Sequence, residues 1–566
     1  MSSDHVILGN AEIMDQSRDF PFEKKHYSFF NDLNMGSYSS NQILFDLRGL
    51  VNQSGWVDWA NSFLLIPAKI EVSSTVFQNE AHSDTTAGTR PTVDNAFAVA
   101  WKNHQNLFSS CAVQISGYSA TNNSDNNNQL QNFTMLTEFS QQALETEGGQ
   151  IGFYKDSAES IYYMDDRSPV GLTGGLGECN NVIDGSVFAA NHGYTGVNFV
   201  NKGRQRRMID SSTDTTYDPA YPYVPAYPSY TKSILQSQQK ARVDRSTPGK
   251  VVFEQEIIFP LKYLHDVFKK VGVMRGLQVS MTLYTNINAS CTITTLAGPA
   301  YGPMIPTSSH GVIPFTLSPL GGGLKLTGVG TVTVTSSIGN STNQPCRMYI
   351  QKIQMSPLTE QRFLSECREK LVVYKDFLSY QQLAITPGAQ VNYIMATEAR
   401  VVGLLVIPQI SALVNGTSTG SLSASSNAGQ TGAFAPSNGP FSSAPSTCMP
   451  YGYVTNFNVL VNGVQHYPSN ELYTWERFLQ EIPQRGLNGN YDHQLSSGLI
   501  SYSDYQTGYG FIYVDLSRYS SKGEYDVKKA YSVIFNNASA VTCDYTILLI
   551  YEKSMRLSVA TGDLLM

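Results

Sequence analysis

Two short apolar runs, each ending in proline, decide the fold: FLLIP at residues 63–67 and GLLVIP at residues 403–408. After each run the chain shows a strand pattern, a polar turn and a short helical pattern, at residues 111–140 in the first case and 456–480 in the second. The same order of elements therefore occurs twice, although few residues are identical. A repeat of pattern rather than of identity predicts two similar β-domains in tandem.

Further β patterns complete each half in the same order. In the first half they are EQEIIFPL (254–261), GLQVSMTLY (276–284) and CRMYIQKIQM (346–355), and in the second half GFIYVDL (510–516), YSVIF (531–535) and YTILLIYEK (545–553). Apolar residues at alternate positions, such as Val113 and Ile115, are what a strand with one buried face requires. The predicted fold is therefore all-β.

The composition fits this architecture and argues against nucleic-acid condensation. Charged residues make up 15% of the 566 residues, below the usual share of about a quarter, while Tyr (33), Phe (26) and Gly (45) are plentiful. This profile is typical of β-sheets with long uncharged loops and a surface partly covered by other copies of the chain. Lys and Arg total 38 against 45 Asp and Glu, a formal charge of −7. Binding through counterion release needs a basic surface, so we expect no sequence-specific nucleic-acid binding.

The cysteines and the first residues predict a protein made in a reducing compartment. The seven cysteines are scattered, odd in number and lack any CxxC pair, so reduced thiols are expected. The first thirty residues contain no apolar stretch long enough for a signal peptide. No run approaches the ~20 apolar residues of a membrane-spanning helix, so we expect no membrane span.

Changes in composition between the β patterns predict the domain boundaries. The predicted segments are an N-terminal arm at 1–38, a first β-domain at 39–357 with large insertions at about 145–250 and 287–345, and a second β-domain at 358–566 with a Gly/Ser-rich insertion at about 414–450. The amphipathic pattern at residues 262–272 predicts a short helix, and the polar, helix-permitting pattern at 358–371 joins the two halves. Insertions as long as the first are normally functional in a compact β-domain.

Patterns for catalysis or metal binding are weak. The nine histidines show no HxxxH, HxH or HExxH spacing and stand at positions 5, 26, 82, 104, 192, 265, 310, 466 and 493. The chain has no GxSxG, no SxxK and no cysteine signature of a nucleophile. The carboxylates that could form a glycosidase-like pair on strands are Asp58, Glu254, Glu256 and Asp515. On a sheet such side chains more often face solvent, so we predict no catalytic, cofactor-binding or metal-binding residues.

Three other motifs have both a functional and a structural interpretation. GLTGGLGE (171–178) suggests a phosphate loop but lacks Lys-Ser/Thr and a following apolar helix, so a simple loop is expected. The basic cluster KGRQRR (202–207) could contact nucleic acid, but in an acidic protein it is more often a solvated tip or a subunit contact. NELYTWERFLQ (470–480) spaces its apolar residues for one helical face, which we expect to pack over a barrel end.

Four longer motifs carry a family resemblance. They are FDLRG…WVDWANSFLLIP (45–67), FEQEIIFPLKYLHDVF (253–268), CRMYIQKIQMSP (346–357) and YTILLIYEKSMRLSVATGDLLM (545–566). Together they resemble the double jelly-roll major capsid proteins of polinton-like viruses, virophages and related eukaryotic double-stranded DNA viruses. The likeness spans about residues 38–566.

The resemblance implies a fold, a function and a set of partners. The fold would be two tandem jelly-roll barrels with short helices and long loop insertions. The function would be that of a major capsid protein whose pseudo-hexameric homotrimers tile an icosahedral shell. The implied partners are the other copies in the homotrimer, neighbouring capsomers, and penton and minor capsid proteins. The implied location is the virion, assembled inside the host cell, with the long insertions forming an outward tower.

Two other classes of protein stay open at this point. A carbohydrate-active β-sandwich protein, either a lectin or a glycoside hydrolase, would place aromatics and carboxylates around one groove and would often carry a secretion signal. A viral receptor-binding or fibre protein is favoured by the Tyr-rich run DPAYPYVPAYPSY (218–230). The oligomeric state separates these classes, because the capsid function requires a stable trimer.

Overall fold

The computed structural model describes the residues that form the β-sheets and the elements packed on them. The described residues are 22–38, 41–49, 55–74, 97–101, 103–121, 125–153, 155, 242–244, 250–295, 301–306, 314–319, 330–410, 454–482, 498–507, 509–517, 526–539 and 542–565. Residues 1–21, most of the predicted insertion at 145–250 and the predicted insertion at 414–450 lie outside the described residues.

Strands supply most of the described structure. Those of the first half are β1 Phe22–Asn31, β2 Gln42–Asp46, β3 Trp56–Ser74, β4 Phe97–Trp101, β5 Phe108–Ile115, β6 Tyr118–Ser119, β7 Arg242–Asp244, β8 Lys250–Pro260, β9 Val273–Arg275, β10 Val279–Thr285, β11 Ala289–Thr295, β12 Tyr301–Pro306, β13 Phe315–Pro319, β14 Gly330–Ile338 and β15 Arg347–Met355. Those of the second half are β16 Glu369–Ile385, β17 Gln390–Ile394, β18 Val401–Ile410, β19 Val454–Val461, β20 Val464–Gln465, β21 Ile512–Asp515, β22 Tyr531–Asn537, β23 Cys543–Ser558 and β24 Leu564–Leu565.

The strand pairing of the first half defines a jelly roll. Its eight principal strands, in chain order, are β1, β2, β3, β5, β6, β8, β10 and β15. One sheet has the spatial order β1-β15-β3-β8, which are the first, eighth, third and sixth of these strands. We name it the long sheet. The other sheet has the order β2-β10-β5-β6, which are the second, seventh, fourth and fifth strands. We name it the short sheet. The rings of Phe108 and Phe259, 5.3 Å apart, join the facing sheets in the core.

The second half repeats this topology strand for strand. Its long sheet has the order β16-β23-β18-β21 and its short sheet the order β17-β22-β19-β20. These again are the first, eighth, third and sixth strands facing the second, seventh, fourth and fifth, with Phe535 and Tyr545 in contact between them at 4.7 Å. The predicted fold class, all-β with two tandem jelly-roll barrels, is confirmed.

Antiparallel pairing places the long connections at one end of each barrel. Because neighbouring strands run in opposite directions, every connection from an odd to the next even strand leaves from the same end. The longest connections in both barrels are of this type, namely 75–107, 120–249 and 286–346 in the first and 411–453 and 466–511 in the second. The tight turns at 116–117 and 462–463 lie at the opposite end. We name the two ends the loop end and the turn end.

Short helices occupy some of these connections. They are α1 Asn127–Glu138, α2 Gln141–Gln150, α3 Asp266–Val271, α4 Pro357–Glu366, α5 Trp475–Glu481 and α6 Tyr502–Thr507, with 3-10 turns at His104–Leu107 and Leu261–Tyr263. In α4 the Ser356 hydroxyl accepts a hydrogen bond from the Thr359 N–H, and Pro357 occupies the first turn. The helix within the helix-permitting pattern at 358–371 ends at Glu366, and residues 369–371 already belong to β16.

The first strand lies within the segment predicted as an arm. β1 pairs along its length with β15, with Phe29 opposite Tyr349. A strand is hard to predict from its sequence, FEKKHYSFFN. Most outward positions hold charged or polar side chains, and the inward Phe22 and Phe30 are only partly buried. The strand nevertheless fills the first position of the long sheet, so half of this segment belongs to the first barrel.

The two barrels share their cores across the domain boundary. The core of the first barrel includes Val372, Tyr374 and Leu557 from the second half of the chain. The core of the second barrel includes Phe133 and Leu136 from α1, which belongs to the first half. Each half therefore completes the apolar core of the other, and the barrels form a joined pair.

Candidate assembly surfaces and the inter-barrel junction

The candidate carboxylates of the first barrel serve the fold. Asp58 is buried and accepts a hydrogen bond of 2.7 Å from the Asn61 side chain within β3. Glu254 accepts hydrogen bonds from the N–H and hydroxyl of Ser341, at 2.8 and 3.0 Å. Glu254 lies opposite Lys69, so it is roughly 35 Å along β3 from Asp58. Paired carboxylates of a glycosidase lie within about 10 Å, so these two are not such a pair.

The other two candidate carboxylates are equally separate. Asp515 in β21 accepts hydrogen bonds from the N–H and hydroxyl of Ser517, at 2.9 and 2.6 Å. Its own N–H donates to the buried carboxylate of Glu481 in α5, which also accepts from the Tyr467 hydroxyl at 3.2 Å. Glu256 is exposed on β8 of the first barrel. The hydrogen bond between Asp515 and Glu481 thus fixes α5 against β21.

The remaining sequence motifs have different outcomes. The segments at 171–178 and 202–207 lie outside the described residues. The helical motif at 470–480 forms α5, in which Phe478 is buried and packs on Tyr505 at 4.8 Å between ring centres. Within the described part of the chain, His, Cys, Asp and Glu side chains form no group of three that could hold a metal ion. No helix among those described is long and apolar enough to cross a membrane.

A hydrophobic contact joins the barrels near the loop end. Phe133 of α1 packs against Phe511 and Tyr513 of the second barrel, with ring centres 5.3 and 5.8 Å apart. The Leu499 N–H donates to the Leu136 carbonyl at 2.7 Å, which ties the connection before β21 to α1. Aromatic pairs at such distances stabilise beyond their buried area. The helix after the fifth strand of the first barrel therefore covers the outer face of the long sheet of the second.

A buried charged cluster joins the barrels nearer the turn end. Asp376 of β16 is fully buried and lies 2.8 Å from the Lys553 ammonium and 3.7 Å from Nε2 of His265, while the Tyr551 hydroxyl donates to it at 3.3 Å. Burial favours the neutral acid, but the hydrogen bonds and charges of His265 and Lys553 outweigh it and lower the pKa of Asp376 to about 2. Nδ1 of His265 accepts the Val267 N–H and so caps α3.

The turn end adds direct backbone contacts between the barrels. The Tyr374 hydroxyl donates to the Ala120 carbonyl, and the Lys370 ammonium to the Val271 carbonyl, each at 2.5 Å. Gly562, with φ +73°, lies so close to the backbone of Gly276 and Leu277 that a Cβ there would overlap it. The start of β16 and the end of β23 thus form a ribbon that lies on the first barrel.

The sequence carried only a weak signal for the junction. Asp376 is a single carboxylate within the apolar pattern LVVYKDFL, which is the one local sign that a buried charge needs partners from elsewhere. Its partner Lys553 follows the apolar run of β23, and His265 lies 111 positions earlier in the chain. Only the pairing of β16 with β23 and the packing of α3 bring the three together.

An aromatic patch covers the outer face of the long sheet in the first barrel. Tyr27 and Phe29 of β1 are 47% and 53% exposed, and they pack beside the stacked rings of Phe63 and Tyr349, which are 4.9 Å apart. The Arg347 guanidinium lies 5.1 Å from the centre of the Phe29 ring. Contiguous exposed apolar surface of this kind is a candidate interaction site.

A second exposed apolar surface lies on the ribbon at the turn end. It is a groove of about 610 Å³ whose apolar wall includes Leu371, 59% exposed, and Val373, 37% exposed. Arg556, opposite Leu371 on β23, supplies a positive charge at its edge. The opposite face of the same ribbon is buried on the first barrel, so this face is directed away from the pair.

The strand order and the joined barrels define a double jelly-roll protein. The structure is similar to that of the Sputnik virophage determined by cryo-electron microscopy, with 12% identity, 98% of this chain and 90% of that chain covered, and a TM-score of 0.48. It is also similar to the Faustovirus major capsid protein, with 10% identity, 97% and 92% coverage and a TM-score of 0.42. For the PBCV-1 virus capsid the identity is 7%, the coverage 98% and 99%, and the TM-score 0.38.

No family model and no curated protein matches the chain. The assignment of two jelly rolls rests on the strand pairing of this chain itself, which is complete for eight strands in each barrel.

Proposed function

We propose that the chain is the major capsid protein of an icosahedral double-stranded DNA virus and that it assembles as a pseudo-hexameric homotrimer. The observation that carries the proposal is the occurrence of one jelly-roll topology twice in a single chain, with the barrels joined through a shared core. A joined pair of equivalent barrels is a building block of a shell rather than a container for a substrate.

The geometry explains why such a pair suits a shell. Three copies arranged around a threefold axis present six similar barrels, and a closed ring of this kind has a nearly sixfold outline that fills a surface lattice. The long connections leave from the loop end, and the described residues on the outer face of the first barrel's long sheet stay partly exposed, so this side is available for a neighbour. Shape and surface complementarity would then be the whole function, without catalysis or a cofactor.

The partners follow from the same assembly. Within the capsomer the partner is a second copy of the chain, and between capsomers it is the neighbouring trimer. A shell built from such trimers needs penton proteins at its fivefold vertices, and minor capsid proteins would bind at the turn end or between capsomers. The protein would therefore function in the virion, after assembly inside the host cell.

Light scattering on the purified full-length chain tests the proposal. A particle of three times the 62.2-kDa chain mass, stable through the micromolar range, is the expected result. Electron microscopy of concentrated protein or of purified particles should then show capsomers with a nearly sixfold outline. A monomer across that range would contradict the proposal, and specific retention on a glycan array with no assembly would favour the carbohydrate-binding alternative.

A further inference from the structure

The long sheets of the two barrels differ in how their outer faces are covered. In the second barrel, nine consecutive residues of β23, 543–551, and nine of β18, 401–409, are buried, so neither face of these strands meets solvent. In the first barrel, β15 alternates between buried and partly exposed residues, so its outer face is open. An antiparallel sheet with both faces buried requires a cover on each side.

The registers identify equivalent positions on the two sheets. Phe29 of β1 lies opposite Tyr349, and Phe377 of β16 lies opposite Ile550. Tyr349 and Ile550 in turn pair with the residues that begin the repeated runs FLLIP and GLLVIP. Phe29 and Phe377 therefore occupy the same place in the fold, yet Phe29 is 53% exposed and Phe377 only 2%.

The sixth strands give the same result. Ile258 pairs with Leu65 and Tyr513 pairs with Leu405, and each partner is the third residue of its apolar run. Ile258 is 40% exposed, whereas Tyr513 is 1% exposed. The first barrel thus presents large apolar side chains at the positions that the second barrel buries.

Two connections of the first barrel cover the second. The connection from the fifth to the sixth strand contains α1, and Phe133 of this helix packs on Tyr513. The side-chain amide of Asn126, just before α1, donates a hydrogen bond of 2.9 Å to the Ser379 hydroxyl. The connection from the sixth to the seventh strand contains α3, where Asp266 accepts the Lys375 N–H at 3.0 Å. Lys375 and Ser379 flank Phe377 on the same strand, so the two connections cover it from both sides.

The two corresponding connections of the second barrel carry exposed apolar residues. The fifth-to-sixth connection, with α5 and α6, exposes Leu472 and Tyr502, each at 49%. The sixth-to-seventh connection exposes Val527 at 53%. No sheet of the chain, among its described residues, lies against this side of the second barrel. Among the described residues, the outer face of one long sheet is therefore uncovered and one pair of connections covers no sheet.

We propose that the aromatic patch of one copy is the docking surface for the second-barrel connections of the next copy, in a head-to-tail interface. Leu472 and Tyr502 would pack on Phe29 and Ile258, as α1 packs on Tyr513 within the chain. The inference rests on the proposed function only in taking the partner as a second copy. It adds which surfaces meet and in which orientation.

Charge and hydrogen bonding support this occupant. The Arg347 guanidinium lies over Phe29, and its Nε–H has no acceptor among the described residues. Glu476, in the first turn of α5, is exposed four positions after Leu472 in the sequence and offers a carboxylate of opposite charge. A head-to-tail contact of this type makes a closed ring if its rotation closes, and three copies give six barrels with equivalent junctions.

Interface variants of the full-length chain test the proposal by light scattering and sedimentation. Phe29→Glu and Ile258→Glu should each raise the dissociation constant of the oligomer at least about 100-fold, because a charge would enter an apolar contact. Leu472→Glu on the opposite surface should do the same. Ile394→Glu is the matched control, since Ile394 is 74% exposed on the short sheet of the second barrel, and it should leave the oligomer unchanged.

A rescue experiment separates a lost interface from a lost fold. The double variant Phe29→Lys with Leu472→Glu would place opposite charges at each contact and should recover part of the oligomer that either single variant loses. Circular dichroism and a cooperative melting transition should show that every variant is folded, with a lower melting temperature where the oligomer is lost. A folded trimer that persists in Phe29→Glu, Ile258→Glu and Leu472→Glu would overturn the interface while leaving the capsid function standing. A wild-type monomer would overturn both.

Discussion

Replacing Asp376 by Asn should loosen the junction between the barrels. The pKa of this carboxyl is lowered from 3.8 to about 2: burial opposes the charge, and His265 and Lys553 more than compensate. A shift of about 2 units corresponds to about 2.5 kcal/mol of stabilisation of the charged form in the folded state. Asn also removes the carboxylate that Lys553 contacts at 2.8 Å, so we expect a loss of about 3 kcal/mol.

Hydrogen–deuterium exchange of β16 measures this loss directly. Amides that exchange by opening of the junction should exchange roughly 100-fold faster in the variant at pH 7. The pH dependence gives a second readout. Because the folded-state pKa of Asp376 is lowered, its contribution is complete above about pH 4 and is lost as the pH falls from there through about 2. The difference between wild type and variant should therefore shrink over that range.

Asp46→Asn is the matched control for this experiment. Hydrogen bonds from Arg48 also lower the pKa of Asp46 to about 2, but this pair lies on the surface. Water screens such a pair, and its loss should cost less than about 1 kcal/mol. Equal losses in the Asp376 and Asp46 variants would refute the reasoning, because burial in the junction would then make no difference.

Three further predictions concern the fold. Gly403→Ala should lower the melting temperature markedly, because its Cβ would overlap the Tyr513 side chain, and unchanged melting would contradict the packing of β18 on β21. Deleting residues 1–21 should leave a soluble oligomer, whereas deleting residues 1–35 removes β1 and should give insoluble protein, as measured by soluble yield. Burial raises the pKa of Cys346 to about 12, so its alkylation should be slow in the folded protein, while denaturation without reductant should expose all seven cysteines to alkylation.

The repeated order of strands was predictable because both barrels alternate apolar residues along their short sheets. In β10 and β22 every second residue is buried, which a period of two reveals without knowledge of the partner strands. β1 was harder to predict, since its sequence places charged residues on the outer face and its inner face is only partly buried. Its role as a strand depends on pairing with β15, more than 300 positions later in the chain.

The junction was beyond prediction because it depends on contacts between distant segments. Phe133 lies on a helical pattern whose apolar side could pack on its own barrel, and nothing near it in sequence indicates Phe511 or Tyr513 as neighbours. Asp376 likewise meets Lys553 and His265 only after both barrels have formed. Local patterns determine which face of an element is apolar, but the partner of that face is determined by the topology of the whole chain.

The two long sheets nevertheless differ in their pattern of apolar residues, and this difference is visible in the sequence. YTILLIY in β23 is apolar nearly throughout, which in an antiparallel sheet indicates a cover on both faces, and α1 supplies the second cover. CRMYIQKIQM leading into β15 alternates, which would suit an outer face in solvent, but β1 and β3 place Tyr27, Phe29 and Phe63 on that same face. Three adjacent aromatic rings form a contiguous apolar surface, which is unusual on a face that contacts only solvent. The described residues leave Tyr27 and Phe29 about half exposed, and the packing of Phe133 on Tyr513 inside the chain is the model for the cover that we propose from a second copy.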